Sequence, residues 1–175
     1  MRTLTMKPSL KKLFALVMCM IVSICMFSVN VSAIDNDQDI DVTFWKSSDP
    51  TELSMANDAV AGTAFYDYSE ETLTIPLRVV EKTYLGITHY GYIDEIGVDT
   101  DGNTGNGYEV TAYPDSTPYP SGGSITISLD SSLISDDCDF DVSFGIDLYY
   151  DQAGTIPAIY SHVDAEAIMN LVYAD

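Results

Sequence analysis

Apolar and polar residues alternate along most of the chain after Asp41, and β-branched and aromatic residues are frequent there. Alternation with a period of two is typical of strands that bury one face. In the segment 139–150, Phe140, Val142 and Phe144 share one face, while aspartate and serine occupy the other. The pattern predicts about eight strands, near residues 41–46, 63–68, 72–80, 87–96, 108–113, 124–129, 139–150 and 166–173.

Half-polar strands of this kind bury their apolar faces when two antiparallel sheets pack face to face. We therefore predict an all-β fold, a β-sandwich of about eight strands. The one helical pattern lies in Pro50–Val60, between the first two predicted strands, and is long enough for one or two turns. Ser54 is a suitable N-cap for it. A plain connecting turn is the alternative for this segment.

The first 33 residues have the three parts of a secretory signal peptide. Basic residues (Arg2, Lys7, Lys11 and Lys12) precede an apolar run from Leu13 to Val29, and Val31-Ser32-Ala33 is a small-residue cleavage site. The sequence therefore predicts a signal peptide at 1–33, an acidic flexible start at 34–40 and one domain at 41–175. The expected location is extracellular, either free or associated with the cell surface.

The exported chain is strongly acidic. The whole sequence has 27 Asp and Glu against 7 Lys and Arg, but only Lys46, Arg78 and Lys82 follow the leader, which leaves a net charge of −24. This charge argues against nucleic acid and anionic membranes as partners. No later segment is apolar for long enough to cross a bilayer, so membrane insertion of the mature chain is not expected. Cys138 is the one cysteine after the leader, so no internal disulfide is expected.

The sequence gives little support for an enzyme. The two histidines, His89 and His162, lie in different segments and outside any nucleophile motif. Cys138 stands among four aspartates, which disfavour its thiolate. No pair of carboxylates is distinguished from the others as a glycosidase would need. We therefore expect a non-catalytic protein.

A cluster of oxygen-bearing side chains occurs at Asp99, Asp101 and Asn103. Their alternating positions allow the three side chains to point at one hard cation, so a calcium site is one interpretation. The other interpretation is a hairpin loop in which Asp, Asn and Gly adopt the backbone conformations that the turn requires.

Met55 and Met169 are the two methionines that follow the leader, one in the predicted helical turn and one in the last predicted strand. Alternation places Met169 on the same face as Leu171 and Tyr173. A thioether is a soft neutral ligand that suits haem iron, so two methionines on opposite walls can hold a haem between them. Alternatively, both residues fill gaps in the core.

The segment Ser54-Met55-Ala56-Asn57-Asp58-Ala59 resembles the helix motif of NEAT (near-iron transporter) domains. The order of elements around it is similar as well, over about residues 40–175. The similar segments are Phe44-Trp45-Lys46, the strand at 72–77, Leu85-Gly86-Ile87-Thr88, Tyr90-Gly91-Tyr92 and Asn170-Leu171-Val172-Tyr173.

The resemblance implies an immunoglobulin-like β-sandwich in which the short helix and the last hairpin hold a haem. Ser54 would bond a propionate and Met55 would lie over the iron. Many family members bind iron through a Tyr-x-x-x-Tyr motif in the last strand, which this sequence lacks. Some relatives use two methionines, an arrangement that Met55 and Met169 permit here. Further candidates around the haem are Tyr150, Tyr160, His162 and Tyr173.

The resulting expectation is a secreted haem-binding and haem-transfer protein for iron acquisition, with a haem donor or acceptor protein as a further partner. Two alternatives stay open. One is an adhesin or protein-binding module of the same fold without haem, and the other is a calcium-binding secreted sandwich.

Overall fold

The computed structural model describes residues 37–116, 122–150 and 159–174. The predicted signal peptide at 1–33 and residues 34–36 lie outside the described residues. The described chain is almost entirely β, as the alternation predicts. Its helical parts are short 3-10 turns. One of them, Met55–Ala59, lies in the second half of the predicted helical segment Pro50–Val60, and the first residues of that segment belong to the strand Asp49–Leu53.

The described residues form ten strands and three 3-10 helices. The strands are β1 (Gln38–Lys46), β2 (Asp49–Leu53), β3 (Ala64–Asp67), β4 (Thr72–Leu77), β5 (Val80–Tyr84), β6 (Ile87–Val98), β7 (Val110–Ala112), β8 (Gly123–Ser128), β9 (Cys138–Tyr150) and β10 (Ile159–Tyr173). The helices are Met55–Ala59, Thr104–Asn106 and Ser131–Leu133. The first of these is called the site helix below.

All strands pair antiparallel in one sheet with the order β5-β6-β9-β10-β1-β3-β4-β8, while β2 adds to β1 and β7 adds to β6. The sheet curls on itself. Pro114, just after β7, forms an isolated bridge with Ile125 of β8, and the Asp115 N–H donates to the Ser124 carbonyl at 2.8 Å. The curl gives a sandwich-like fold from one continuous sheet.

One apolar core fills the inside of the curl, and it is built from alternate residues of the long strands. The rings of Phe44 in β1 and Phe144 in β9 meet edge to face, with centroids 5.0 Å apart. Such aromatic contacts add to the burial of apolar area, which is the main stabilising term. The fully buried side chains include Tyr66, Phe44, Phe144, Ile40, Leu73, Ile75, Ile96, Ile125, Ile127, Leu129, Met169 and Leu171.

Two strands and several boundaries differ from the sequence-based expectation; β10, for example, begins at Ile159, seven residues before the predicted start at 166. β2 is exposed along its whole length, and the described side chains at the outer edge of β5 are mostly polar, so neither strand has a buried alternate face to reveal it. β1 begins at Gln38, so the last three residues of the predicted flexible segment 34–40 belong to a strand. The reason is Ile40, which is fully buried and pairs with Ala64 and Tyr173.

A tight hairpin joins β5 and β6. Tyr84 pairs with Ile87, so the loop consists of Leu85 and Gly86 alone, both with positive φ (51° and 79°). Two successive residues with positive φ are typical of the type I′ turn, whose twist matches that of the flanking strands. The turn projects Leu85 into solvent, where it is 85% exposed.

The two methionines should differ sharply in their effect on stability. Met169→Ala removes a fully buried side chain and should lower the free energy of unfolding by about 2–5 kcal/mol. Met55→Ala removes a side chain that is 81% exposed and should change it by less than about 0.5 kcal/mol. Urea unfolding of the two variants measures the difference, and equal losses would contradict the placement of Met169 in the core.

Candidate functional site

An apolar groove lies between the site helix and the sheet, with a cavity volume of about 170 Å³. Three walls enclose it: the site helix, the β5–β6 hairpin and β9. Its lining is formed by Met55, Ala56 and Ala59 of the helix, Val80 and Lys82 of β5, His89–Ile93 of β6, and Ile146 and Leu148 of β9. A groove lined almost wholly by apolar side chains, with a few polar groups at its border, is a typical binding site for an organic ligand.

The floor of the groove exists because one position in the middle of β6 has no side chain. Gly91 pairs with Val80 on one side and with Leu148 on the other, so the three residues form one cross-strand row. A Cβ at position 91 would lie 3.2 Å from the Leu148 Cδ2 atom. Glycine in a strand interior often marks such a close approach, and here it keeps the floor open.

Asn57 holds the site helix against the sheet. Its side-chain Oδ1 accepts the Phe44 N–H at 2.9 Å, and its Nδ2 donates both to the Phe44 carbonyl and, at 3.1 Å, to the Ser54 carbonyl. The Ser54 N–H also donates to the Phe44 carbonyl at 2.8 Å. The backbone N–H and carbonyl of one β1 residue, Phe44, therefore fix the helix that forms the roof of the groove.

The other side of the helix is tied to the β4–β5 connection. Lys82 Nζ lies 2.8 Å from Asp58 Oδ2, and Arg78 Nε donates to the Asp58 carbonyl at 2.7 Å. The Lys82 hydrogen bond lowers the pKa of the Asp58 carboxyl. Both side chains of the ion pair are half exposed or more, so the pair adds little to stability. Its effect is to position Lys82 at the rim of the groove.

Ser54 and Met55 lie where the sequence places them, at the start of the site helix. Ser54 is the N-cap, as predicted, and its Oγ accepts the Ala56 N–H at 3.3 Å. Met55 is 81% exposed and forms part of the groove lining. Its thioether is therefore accessible to a ligand that enters the groove.

Met169 and Tyr173 are not among the residues that line the groove. Met169 has no exposed surface and lies in the core, paired with Phe44 and Phe140. The Tyr173 hydroxyl lies 3.2 Å from that of Tyr68, and burial is the main cause that raises the pKa of Tyr173. The structure therefore does not bring Met55 and Met169 together as two walls of one site. The side chains of Tyr150 and Tyr160 lie outside the described part of the chain.

His89 places an imidazole in the lining of the groove, and the sequence analysis did not assign it to the site. It pairs with Lys82 of β5 and with Tyr150 of β9, in the row next to Gly91. It is half-buried and contributes to the groove lining. The signal that could have found it is its spacing of two from Gly91, which places both residues on one strand face.

A second group of polar side chains lies on the opposite face of the same strands. One cross-strand row of this group consists of Tyr92, Asp147 and His162. Asp94 lies beside this row, at the position where the register of the β6–β9 pairing shifts. His162 Nδ1 is 2.8 Å from Asp147 Oδ1 and 3.6 Å from Asp94 Oδ2. Gly145 leaves room for this group, because a Cβ there would lie 2.6 Å from Asp94 Oδ1. His162 is thus engaged away from the groove.

The charged side chains in this group change one another's pKa values. The hydrogen bond to Asp147 is the main cause that raises the pKa of His162, and the charge of Asp94 acts in the same direction. Burial, followed by the charge of Asp147, raises the pKa of Asp94. Tyr92 and Tyr149 bond through their hydroxyl groups beside these carboxylates, and burial raises the pKa of Tyr92.

Asp99 and Asp101 lie together in the β6–β7 loop, as the calcium interpretation requires, but the third carboxylate beside them is Glu109. Oxygens of these three residues lie within 4.8 Å of one another. The Asn103 backbone N–H donates to Asp99 Oδ1 at 3.3 Å and to Asp101 Oδ1 at 2.8 Å.

The chain matches no family model, no curated protein and no solved structure. None of the helices among the described residues has the length and apolar character needed to cross a bilayer.

Asn57→Ala should loosen the roof of the groove. The change leaves the Phe44 N–H and carbonyl without their side-chain partner in a partly buried place, at a cost of about 1–3 kcal/mol. Urea unfolding measures this loss. Asn170→Ala is the matched control, because its amide bonds only exposed carboxylates. Equal effects in both variants would contradict the anchoring role of Asn57.

His162 should stabilise the fold most at low pH. A folded-state pKa raised above the ordinary 6.5 gives stabilisation that is complete below about pH 6.5 and is lost as the pH rises through the raised value. The difference in urea midpoint between the wild type and His162→Gln should therefore shrink from pH 6 upward. A difference that grows with pH would contradict the pairing of His162 with Asp94 and Asp147.

Proposed function

We propose that the protein is a secreted, non-catalytic haem-binding protein that takes up haem in the groove beneath the site helix and passes it to a partner in iron acquisition. The observation that carries the proposal is an apolar groove with two potential iron ligands at its border, Met55 and His89. The resemblance of the Ser54–Ala59 segment to the NEAT helix motif supports the same function.

The size of the groove suits a flat ligand that enters by its edge. About 170 Å³ is less than the roughly 300–1,000 Å³ of pockets that enclose a whole organic ligand. A porphyrin would therefore insert one edge between the site helix and the row Val80, Gly91 and Leu148, and the rest of the ring would stay exposed. Partial exposure is compatible with transfer, since a partner can contact the ring before it leaves.

The iron ligands follow from which side chains reach the groove. The imidazole of His89 and the thioether of Met55 are both established ligand types for haem iron. Met169 would have to leave the core to reach the iron, so we do not retain it as a ligand. Within the described side chains, the ligand set supported by the groove is His89, Met55 or both.

The propionates need polar partners at the border of the groove. Lys82 places an ammonium group there, although it is also paired with Asp58. The Ser54 hydroxyl accepts the Ala56 N–H and keeps its own hydrogen for donation to a carboxylate. The large negative charge of the chain opposes anionic haem at long range, so affinity must come from ring burial and iron ligation. The same charge favours a basic surface on the protein that receives the haem.

A second candidate function is a protein-binding module without haem. It is favoured by the large apolar side chains that are strongly exposed, among them Met55 (81%), Leu85 (85%) and Ile87 (50%). Exposed apolar residues of this size are typical of partner contacts when they lie close together.

Haemin titration of the purified protein tests the proposal. The wild type should bind about one haem with a shifted Soret band. Gly91→Leu should fill the floor and weaken binding at least about tenfold, equivalent to about 1.4 kcal/mol. Gly62→Leu is the matched control, because a Cβ at Gly62 meets nothing within 4 Å, and it should bind haem as the wild type does.

The ligand assignment has its own variants. His89→Ala and Met55→Ala should each be compared with the wild type for the Soret position and the ferric spin state, and at least one should change both. Met169→Ala should leave the spectrum of the folded protein unchanged. Protein that stays colourless with haemin would reject haem binding, and retention of a partner protein by that colourless form would favour the second candidate.

A further inference from the structure

We propose that the β6–β7 loop is a calcium site formed by Asp99, Asp101 and Glu109. This site is separate from the haem groove and does not depend on the proposed function. The three side chains come from the two ends of an eleven-residue loop, and their carboxylate oxygens lie within 4.8 Å of one another. Oxygens that bind one calcium ion at 2.3–2.6 Å can be up to about 5 Å apart, so the group has the dimensions of a coordination sphere.

Asp99 is the residue that points to a ligand. It is only 3% exposed, and its Oδ1 accepts backbone N–H groups from Asp101 at 3.0 Å and from Gly102 at 2.8 Å. Its Oδ2 is buried as well, and no donor among the described residues bonds to it. A buried carboxylate oxygen without a partner is costly, because it has lost its water and gained nothing in return. A cation bound at the loop would supply that partner.

The other two carboxylates are held in place and remain open to solvent. Asp101 Oδ1 accepts the Asn103 N–H at 2.8 Å, and Asp101 Oδ2 accepts a hydrogen bond from Asn106 Nδ2 at 3.0 Å. Glu109 Oε2 accepts the Thr100 N–H at 2.9 Å, which fixes the far end of the loop beside its start. Both residues are exposed, so a cation can enter from solvent and keep water ligands.

No basic side chain of the described chain neutralises the loop. Lys46 pairs with Glu52, Lys82 pairs with Asp58, and Arg78 bonds the Asp58 carbonyl, all on the side of the site helix. Around the loop, further carboxylates come close to Tyr108, whose pKa is raised by burial and then by the charges of Glu166, Asp141 and Asp99. Three carboxylates without a counter-charge, together with oxygen-only donors, favour a hard divalent cation.

The site also explains why the sequence pattern was only partly informative. Asn103 occupies the next alternating position, yet the structure uses its backbone N–H to cap Asp99 and Asp101. Glu109 is the member of the group that alternating positions do not reveal, because the loop returns at the 3-10 turn Thr104–Asn106 and brings residue 109 back to residue 100.

Thermal unfolding and calorimetry with CaCl₂ test the proposal. The dissociation constant is expected near 0.1–1 mM, as in extracellular calcium-binding modules. Calcium at a few times this concentration should raise the wild-type Tm by several degrees, and EDTA should reverse the shift. Asp99→Asn preserves an Oδ1 acceptor for the loop N–H groups but removes the charge, and it should abolish the calcium response. Glu109→Gln should reduce or abolish it without changing the buried residue.

Asp130→Asn is the matched control, because Asp130 caps a 3-10 turn in another loop and its change removes the same single charge. It should respond to calcium as the wild type does. The proposal is overturned if calorimetry detects no calcium binding at millimolar concentration, or if Asp99→Asn and Asp130→Asn respond equally. An equal Tm shift with MgCl₂ at the same ionic strength would likewise overturn it, since that result indicates screening of the acidic chain rather than a site.

Discussion

The side chain of Asn57 pairs with both the backbone N–H and the backbone carbonyl of Phe44, and the groove depends on this interaction. β1 lies in the middle of the curled sheet, between β10 and β3, so the helix is anchored to a central strand. An amide is suited to this task because it both donates and accepts, as a strand neighbour does. The helix therefore stands in for a missing strand partner at Phe44, and the space below it remains open between the helix and β6.

The distribution of charge separates the molecule into two regions. The three bases of the described chain lie around the site helix, where each contacts a carboxylate or a carbonyl of the segment 52–58. The β6–β7 loop carries acids without such partners among the described residues. This asymmetry places the positive charge of Lys82 at the border of the groove.

Much of the fold could be predicted from the sequence, because alternation in β4, β9 and β10 directly reports which face is buried. Met169 was expected on the face of Leu171, and both are buried in the core. β2 and β5 could not be predicted in this way. Their side chains are mostly exposed, so no burial of apolar surface requires apolar and polar residues to alternate there.

The candidate site could be predicted only in part. The Ser54 cap and the position of Met55 follow from local sequence, because a helix start depends on a few neighbouring residues. The spacing of two places His89 and Gly91 on one strand face, but their position beside the site helix, like that of Glu109 beside Asp99, depends on contacts between distant segments that composition and spacing do not reveal. The placement of Met169 illustrates the same limit. The alternation shows that its side chain points into the core, but it does not show whether a cavity lies beside that side chain.

At Gly91 the pairing of the strand and the width of the groove are independent of each other. β6 pairs through its backbone on both sides at this position, so the strand keeps its hydrogen bonds with any residue except proline there. A single methyl group would already press on Leu148, and a longer side chain would occupy the space where a ligand edge fits. A single substitution at this position can therefore change the groove from open to closed while β6 stays paired with both of its neighbours.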